Sequence, residues 1–158
     1  MKKELIVSHE DDLTKIALLE DGRLCELHEQ EDKSDFIVGD LFIGKVKKLA
    51  PNLNAAFVNI GYEKDAFLHY QDLGPQYLTY RKFLKDTITK KQSSSGLKNF
   101  EIQPEIDKNG TVDKVIAKDD VVLLQITKEP ISTKGPRIST QISLTGRFLV
   151  LIPFDNKV

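Results

Sequence analysis

A single cysteine, Cys25, is all the thiol chemistry that the 158 residues offer. One thiol excludes an internal disulfide framework and accords with a reducing cytoplasm. It falls among apolar strand residues, where a buried, inert side chain is expected rather than a nucleophile. No apolar run approaches membrane-spanning length and the amino terminus has no signal-peptide core, so a cytoplasmic protein without a membrane partner is expected. Catalytic signatures are missing too. His9, His28 and His69 do not have H-E-x-x-H spacing, and zinc motifs, a G-x-S-x-G elbow and a P-loop are all absent. The only adjacent aspartates are Asp11-Asp12 and Asp119-Asp120. Consecutive strand residues face opposite ways, so neither pair makes a metal cradle, and turn or cap roles are expected. Net charge is nearly absent as well, at −1, which taken alone argues against a polyanion binder.

The average hides a split. Residues 1–40 hold twelve acidic and five basic side chains, whereas residues 41–158 hold twelve and eighteen. The basic part also carries the most informative stretch, Leu41 to Leu68 (LFIGKVKKLAPNLNAAFVNIGYEKDAFL). It reads as three antiparallel strands, Leu41–Leu49, Asn54–Ile60 and Asp65–Leu68, separated by a Pro51-Asn52 break and a Gly61-Tyr62-Glu63 turn. Side chains alternate faces along a strand. Ala56, Val58 and Ile60 therefore share a core face, and Phe57 points the other way. Ala66 and Leu68 repeat that pattern around Phe67. If Ile60 and Lys64 close the hairpin, the two phenylalanines sit side by side on its outer face, with Lys45 and Lys47 alternating together on the preceding strand. Outward rings among lysines suit single-stranded nucleic acid, whose bases stack and whose phosphates meet cations. The pattern equally allows one phenylalanine to belong to a second packed layer.

The segment GKVKKLAPNLNAAFVNIGYEKDAFLH resembles the S1 RNA-binding domain of the ribonuclease E/G family of bacterial endoribonucleases. The family shows a G-K-[IV] strand, a P-x-[LM]-x-A-A-F-V-[DN]-x-G stretch and a second aromatic in G-F-L; here Ala66 replaces that glycine. Further on, KEPISTKGPRIS is similar to a K-[ED]-P-I-x-T-K-G-x-R-[LI]-[ST] segment, with Ser132 where glycine is common and Pro136 where alanine is common. The resemblance implies a mainly β chain built on an OB-fold, S1-type five-stranded barrel. It also implies that Phe57 and Phe67 stack on RNA bases and that Lys134 meets the RNA backbone; Lys45 and Lys47, from the strand alternation, are weaker candidates. Without it, Lys134-Gly135 reads as an exposed turn.

Lys3–Ser8, Thr14–Glu20 and Arg23–Glu29 read as strands, the last two joined by Asp21-Gly22, a type I′ hairpin signal. An acidic bridge from Glu29 to Asp35 follows. By resemblance, residues 1–35 form a small β-hairpin segment of an incomplete ribonuclease-H-like subdomain, and residues 36–144 form the S1 domain. Within it, residues 72–118 are a long, partly helical insertion, because the family's connection is usually shorter. In that insertion Tyr77, Tyr80, Phe83, Leu84 and Ile88 fit one helical face over Tyr77–Lys91. Its basic residues, Arg81 to Lys91, read as solvated surface or as a second RNA contact. Ser93-Ser94-Ser95-Gly96 reads as a flexible break, and the polar stretch 97–118 as an excursion with one weak hairpin. Asp120–Thr127 and Ile138–Leu144 complete the barrel, with Lys128–Arg137 as a loop.

Residues 145–158 resemble the start of the family's 5′-end sensor, where Gly146 and Val150 match two members of a backbone pocket for a terminal phosphate. Its other members lie downstream of Val158. The family's metal-ligating aspartates also lie beyond this sequence. Mg2+ is thus the expected cofactor of the full-length enzymes and none is expected here. The chain reads as the amino-terminal piece of a longer enzyme, unable to cleave RNA alone. Its expected partners are single-stranded RNA, the remaining subdomains of the enzyme and a second copy in a homo-oligomer. A protein-interaction or oligomerisation module without RNA affinity is the alternative, separable by salt dependence.

Overall fold

The computed structural model describes residues 2–11, 13–31, 36–91, 97 and 100–155. It divides into two units, Met1–Asp35 and Phe36–Val158. In the first, β1 (Lys3–Glu10), β2 (Leu13–Glu20) and β3 (Arg23–Glu31) form an antiparallel sheet in that order. Asp21 (φ 48°) and Gly22 (φ 77°) join β2 to β3 with the paired left-handed conformations of a type I′ turn. A register shift between Leu18 and Leu19 leaves Cys25 as the unpaired residue of β3. Cys25 is exposed, contrary to the sequence expectation. Its apolar neighbours Leu24 and Leu27 are themselves 60% and 54% exposed, so they give the thiol no cover. Asp12, residues 32–35 of the acidic bridge and the Ser93–Gly96 break lie outside the described residues.

The second unit is a closed five-stranded barrel. Its strands β4 (Leu41–Ala50), β5 (Ala55–Asn59), β6 (Ala66–His69), β7 (Val121–Lys128) and β8 (Arg137–Ser139) run in the order β4-β5-β6-β8-β7. Three meander strands closed by a β8 that runs parallel to β6 give the OB-type arrangement. The period-2 pattern accounts for the core: Val46, Val58, Leu68, Val122, Leu124, Ile126 and Ile138 are all fully buried. Each contributes on the order of 1.5–3 kcal/mol of burial free energy. Gly44 sits where β4 crosses closest to its neighbours. A Cβ there would fall 2.7 Å from side chains of both Leu124 and Val58.

Between β6 and β7 the chain makes a 3-10 turn (Tyr70–Leu73), helix α1 (Tyr77–Ile88) and the one-turn helix α2 (Val112–Val115). Tyr77, Tyr80 and Leu84 are buried as the helical pattern requires, but Ile88 at the last turn is 56% exposed. No strand forms between α1 and β7 among the described residues, so the expected weak hairpin is absent. Side chains bind this segment to the barrel instead. Asn54 accepts from the Val112 N–H at 2.7 Å and donates to Gly110 O at 3.1 Å, and Tyr70 OH donates to Asp107 O at 2.5 Å. Val112 and Ile116 then bury in the core.

The strand expected over 138–144 stops at Ser139. Beyond that point hydroxyls take over from a ladder. Ser139 Oγ donates to Asp72 O at 2.7 Å, and Thr140 Oγ1 donates to Leu73 O. A short hairpin of β9 (Leu144–Thr145) and β10 (Val150–Leu151) follows, with Phe148 and Leu149 at its tip 85% and 80% exposed. Phe154 then packs among Tyr80, Phe83 and Phe100 with ring centroids 5.2–5.8 Å away. Tyr80 OH donates to Pro153 O at 2.9 Å, and burial pushes its phenol up to about 12. Among the described residues no helix is long and apolar enough to cross a membrane.

Candidate nucleic-acid interface

The outer face of β5 and β6 carries two rings. Phe57 pairs with Phe67 across the hairpin, with ring centroids 5.7 Å apart and planes at 66°. Their sequence parity and the register set by the turn bring them together. Gly61 supplies φ 90° in that turn and Asn59 Oδ1 accepts its N–H at 2.9 Å. Both rings are half-buried, while Ala56, Val58, Ala66 and Leu68 on the opposite face are fully buried. His69 lies next along β6, 6.5 Å from the Phe67 ring.

The lysines are arranged by an irregularity. A bulge in β4 leaves Lys47 unpaired: Val46 faces Val58, then Lys48 faces Phe57. Lys45 and Lys47 are exposed on either side of buried Val46, and beyond the bulge Lys48, exposed too, arrives opposite the first ring. Lys45 pairs with Asp119 at 2.9 Å and Lys47 with Asp65 at 3.0 Å. Hydrogen bonding and charge from Lys45 hold the Asp119 carboxyl below its usual range. Lys48 and Lys134 make no ion pair among the described residues.

Lys134 reaches this face because its loop is fastened to the β5–β6 turn. Ile131 and Lys134 close a tight bridge, N–H to O at 2.9 and 3.2 Å, with Ser132 at φ 51°. The left-handed Ser132 occupies a conformation that glycine adopts more easily. Lys64 Nζ donates to Ser132 O at 2.9 Å and Phe67 N–H to Pro136 O at 2.8 Å. Gly135 permits the approach, since a Cβ there would lie 2.2 Å from Asp65 O. Beside it, Arg137 grips Asp72 through Nε at 2.9 Å and Nη2 at 3.1 Å, which raises its already high pKa.

Phe57, Phe67, Lys47 and Lys134 thus line one cleft of about 780 Å³, together with Asp65 and Arg137. Rings for stacking and cations at the edge are what unpaired bases and phosphates require. Glu63 and Lys64 also line it, whereas neither Lys45 nor Lys48 is among its lining residues. Gly146 and Val150 lie in the β9–β10 hairpin, where the Gly146 N–H already donates to Leu149 O at 2.8 Å and Val150 pairs with Thr145. On α1, Arg81 is held by Asp120 at 3.1 Å and Lys82 by Glu101 at 2.9 Å. Asp120 also accepts the Ala117 N–H at 2.9 Å, a turn role. Sequence reasoning missed Lys48, Asp65 and Arg137. Asp65 had an available signal, since it shares parity with Phe67; the bulge that places Lys48 had none. Among the described residues no three His, Cys, Asp or Glu side chains come together to hold a metal ion.

No family model matches the sequence. Curated relatives do. The chain is 30% identical over 153 residues to Ribonuclease G of Escherichia coli, covering 97% of this chain and 27% of that protein. It is 31% identical over 155 residues to Ribonuclease G of Haemophilus influenzae, covering 98% and 28%. With Ribonuclease E of Synechocystis sp. the identity is 33% over 122 residues, covering 77% and 14%. Over nearly its whole length the chain is a homologue of the ribonuclease E/G proteins, and it spans about a quarter of the ribonuclease G relatives it matches.

Proposed function

We propose that this ribonuclease E/G homologue is a single-stranded RNA-binding module, an S1-type barrel serving RNA processing and decay. One observation carries the reading: two half-exposed rings 5.7 Å apart in a cleft edged by an unpaired lysine. Phe57 and Phe67 stack on successive bases, and Lys134 neutralises the backbone. Lys48 joins it, and Lys45 and Lys47 contribute less because carboxylates already hold them. In this reading the segment grips RNA while metal-assisted hydrolysis belongs to other subdomains of the family's full-length enzymes.

Fluorescence anisotropy with a labelled RNA of about ten nucleotides, within the site size of one OB fold, tests it. Binding is expected to weaken with salt and to vanish in Phe57→Ala/Phe67→Ala. A folded wild type that shows no salt-sensitive binding overturns the reading. The exposed tip at Phe148 and Leu149 favours a second one, a subunit contact. That contact would persist or strengthen with added salt and would survive loss of both rings.

A further inference from the structure

Two carboxylates line this cleft for a polyanion, Glu63 and Asp65; Glu63 is largely exposed and faces Lys64 at 3.3 Å, whereas Asp65 is half-buried and needs a reason. Asp65 precedes Phe67 by two residues, so both side chains lie on the same side of the chain, and both line the cleft. Phosphates are repelled there, while Lys134 and Lys48 offer them free cations nearby. What a carboxylate recognises in RNA is the amino edge of a base, and unpaired bases present that edge openly.

We propose that Asp65 selects the base stacked on Phe67 by accepting hydrogen bonds from the Watson–Crick edge of guanine; this rests on the RNA-binding reading above. Guanine alone of the four bases carries two adjacent donors on that edge, N1–H and the 2-amino group. Uracil sets its single N–H between two carbonyl acceptors, and adenine and cytosine set an amino group beside an acceptor nitrogen. Only guanine therefore satisfies both carboxylate oxygens without opposing an acceptor to one of them. Asp65 has the capacity to accept. Lys47 Nζ donates to Oδ1 at 3.0 Å, Oδ2 has no donor among the described residues, and each oxygen takes more than one hydrogen bond. The carboxylate is also held in position. Lys47 anchors it from one side, and its backbone carbonyl lies against Gly135, whose loop is pinned by Lys64 to Ser132 O and by Phe67 N–H to Pro136 O.

The test uses the 158-residue chain and labelled decauridylate carrying one central guanosine, inosine, adenosine or cytidine. Guanosine is expected to tighten binding at least about five-fold, the low end for a two-point contact between side chain and base. Inosine, which lacks the 2-amino group, is expected to lose that gain. Asp65→Asn should erase the guanosine-to-inosine ratio without weakening the decauridylate itself. Lys47→Met keeps the carboxylate and its backbone anchorage against Gly135, and should reduce the ratio without abolishing it. Equal binding of all four oligonucleotides overturns the proposal while leaving the stacking platform intact, provided binding still needs Phe57 and Phe67. A ratio retained in Asp65→Asn, or lost in Lys47→Met, also overturns it, the latter by assigning selectivity to the ion pair. Absence of any salt-sensitive binding removes the RNA reading and this proposal together.

Discussion

Two surfaces of the barrel unit combine aromatic and basic residues, and they differ in which way the rings point. On the outer face of β4–β6, Phe57 and Phe67 remain half-exposed and two neighbouring lysines are unpaired. On helix α1, Tyr77 and Tyr80 turn into the core, and Arg81 and Lys82 are held by Asp120 and Glu101. Both stretches read as basic and aromatic in the sequence. The sheet face offers open rings and free cations; on the helix the two tyrosines are buried and Arg81 and Lys82 are paired, with Lys85 left exposed. Counting charges cannot separate them, but following each cation to its partner does.

The largest way to sharpen the contrast is Leu84→Ala on the helix. It removes a buried side chain and should cost about 2–5 kcal/mol of stability. Urea denaturation checks this, with the RNA affinity of the folded fraction unchanged. Next, Phe57→Ala or Phe67→Ala should cost about 1–3 kcal/mol of RNA affinity, read by anisotropy, and much less stability than Leu84→Ala. If either ring variant instead destabilises the barrel as much as Leu84→Ala while its folded fraction keeps full RNA affinity, the two surfaces are alike and the comparison breaks.

A smaller effect separates the cations. Lys134→Ala and Lys48→Ala should each lower the salt slope of binding by about one unit, while Lys45→Ala and Arg81→Ala leave it nearly unchanged. Measurements across four salt concentrations decide. The smallest effect is local. Lys45→Ala should let the Asp119 carboxyl titrate nearer its ordinary range, followed by NMR. Because the folded-state pKa of Asp119 is lowered by Lys45, whatever the pair adds to stability is present at neutral pH. It fades as pH falls through that lowered value.

Much of the framework could be read from residue pattern alone. Alternation placed Ala56, Val58 and Leu68 inward and the two phenylalanines outward, because a strand buried on one face has a strict period of two. Asp21-Gly22 announced its turn through the positive φ angles it needs. The reading failed where geometry depends on partners distant in sequence. The bulge at Lys47 lies in the pairing of β4 with β5, so no local signal announced that Lys48 would face Phe57. The early end of β8 follows from Ser139 and Thr140 bonding to residues 72 and 73. The role of Asn54 in holding the segment around Gly110 depends on chain more than fifty residues away. Cys25 misled because apolar sequence neighbours cover a thiol only when something covers them.

Barrel closure also sets a clock. The hairpin bearing Phe57 and Phe67 is local and can zip within microseconds. Its inner face must wait for β7 and β8, since Leu41 pairs with Gln125 and Phe67 with Arg137 only after the whole intervening chain has been gathered in. Closing so long a loop costs little more free energy than closing one half its length, about 0.6 kcal/mol. It nevertheless makes folding slow for a domain of this size, because the distant pairs must be found before they reward the search. During synthesis the hairpin leaves the ribosome well before the strands that cover it, with Val58 and Leu68 exposed in the interval.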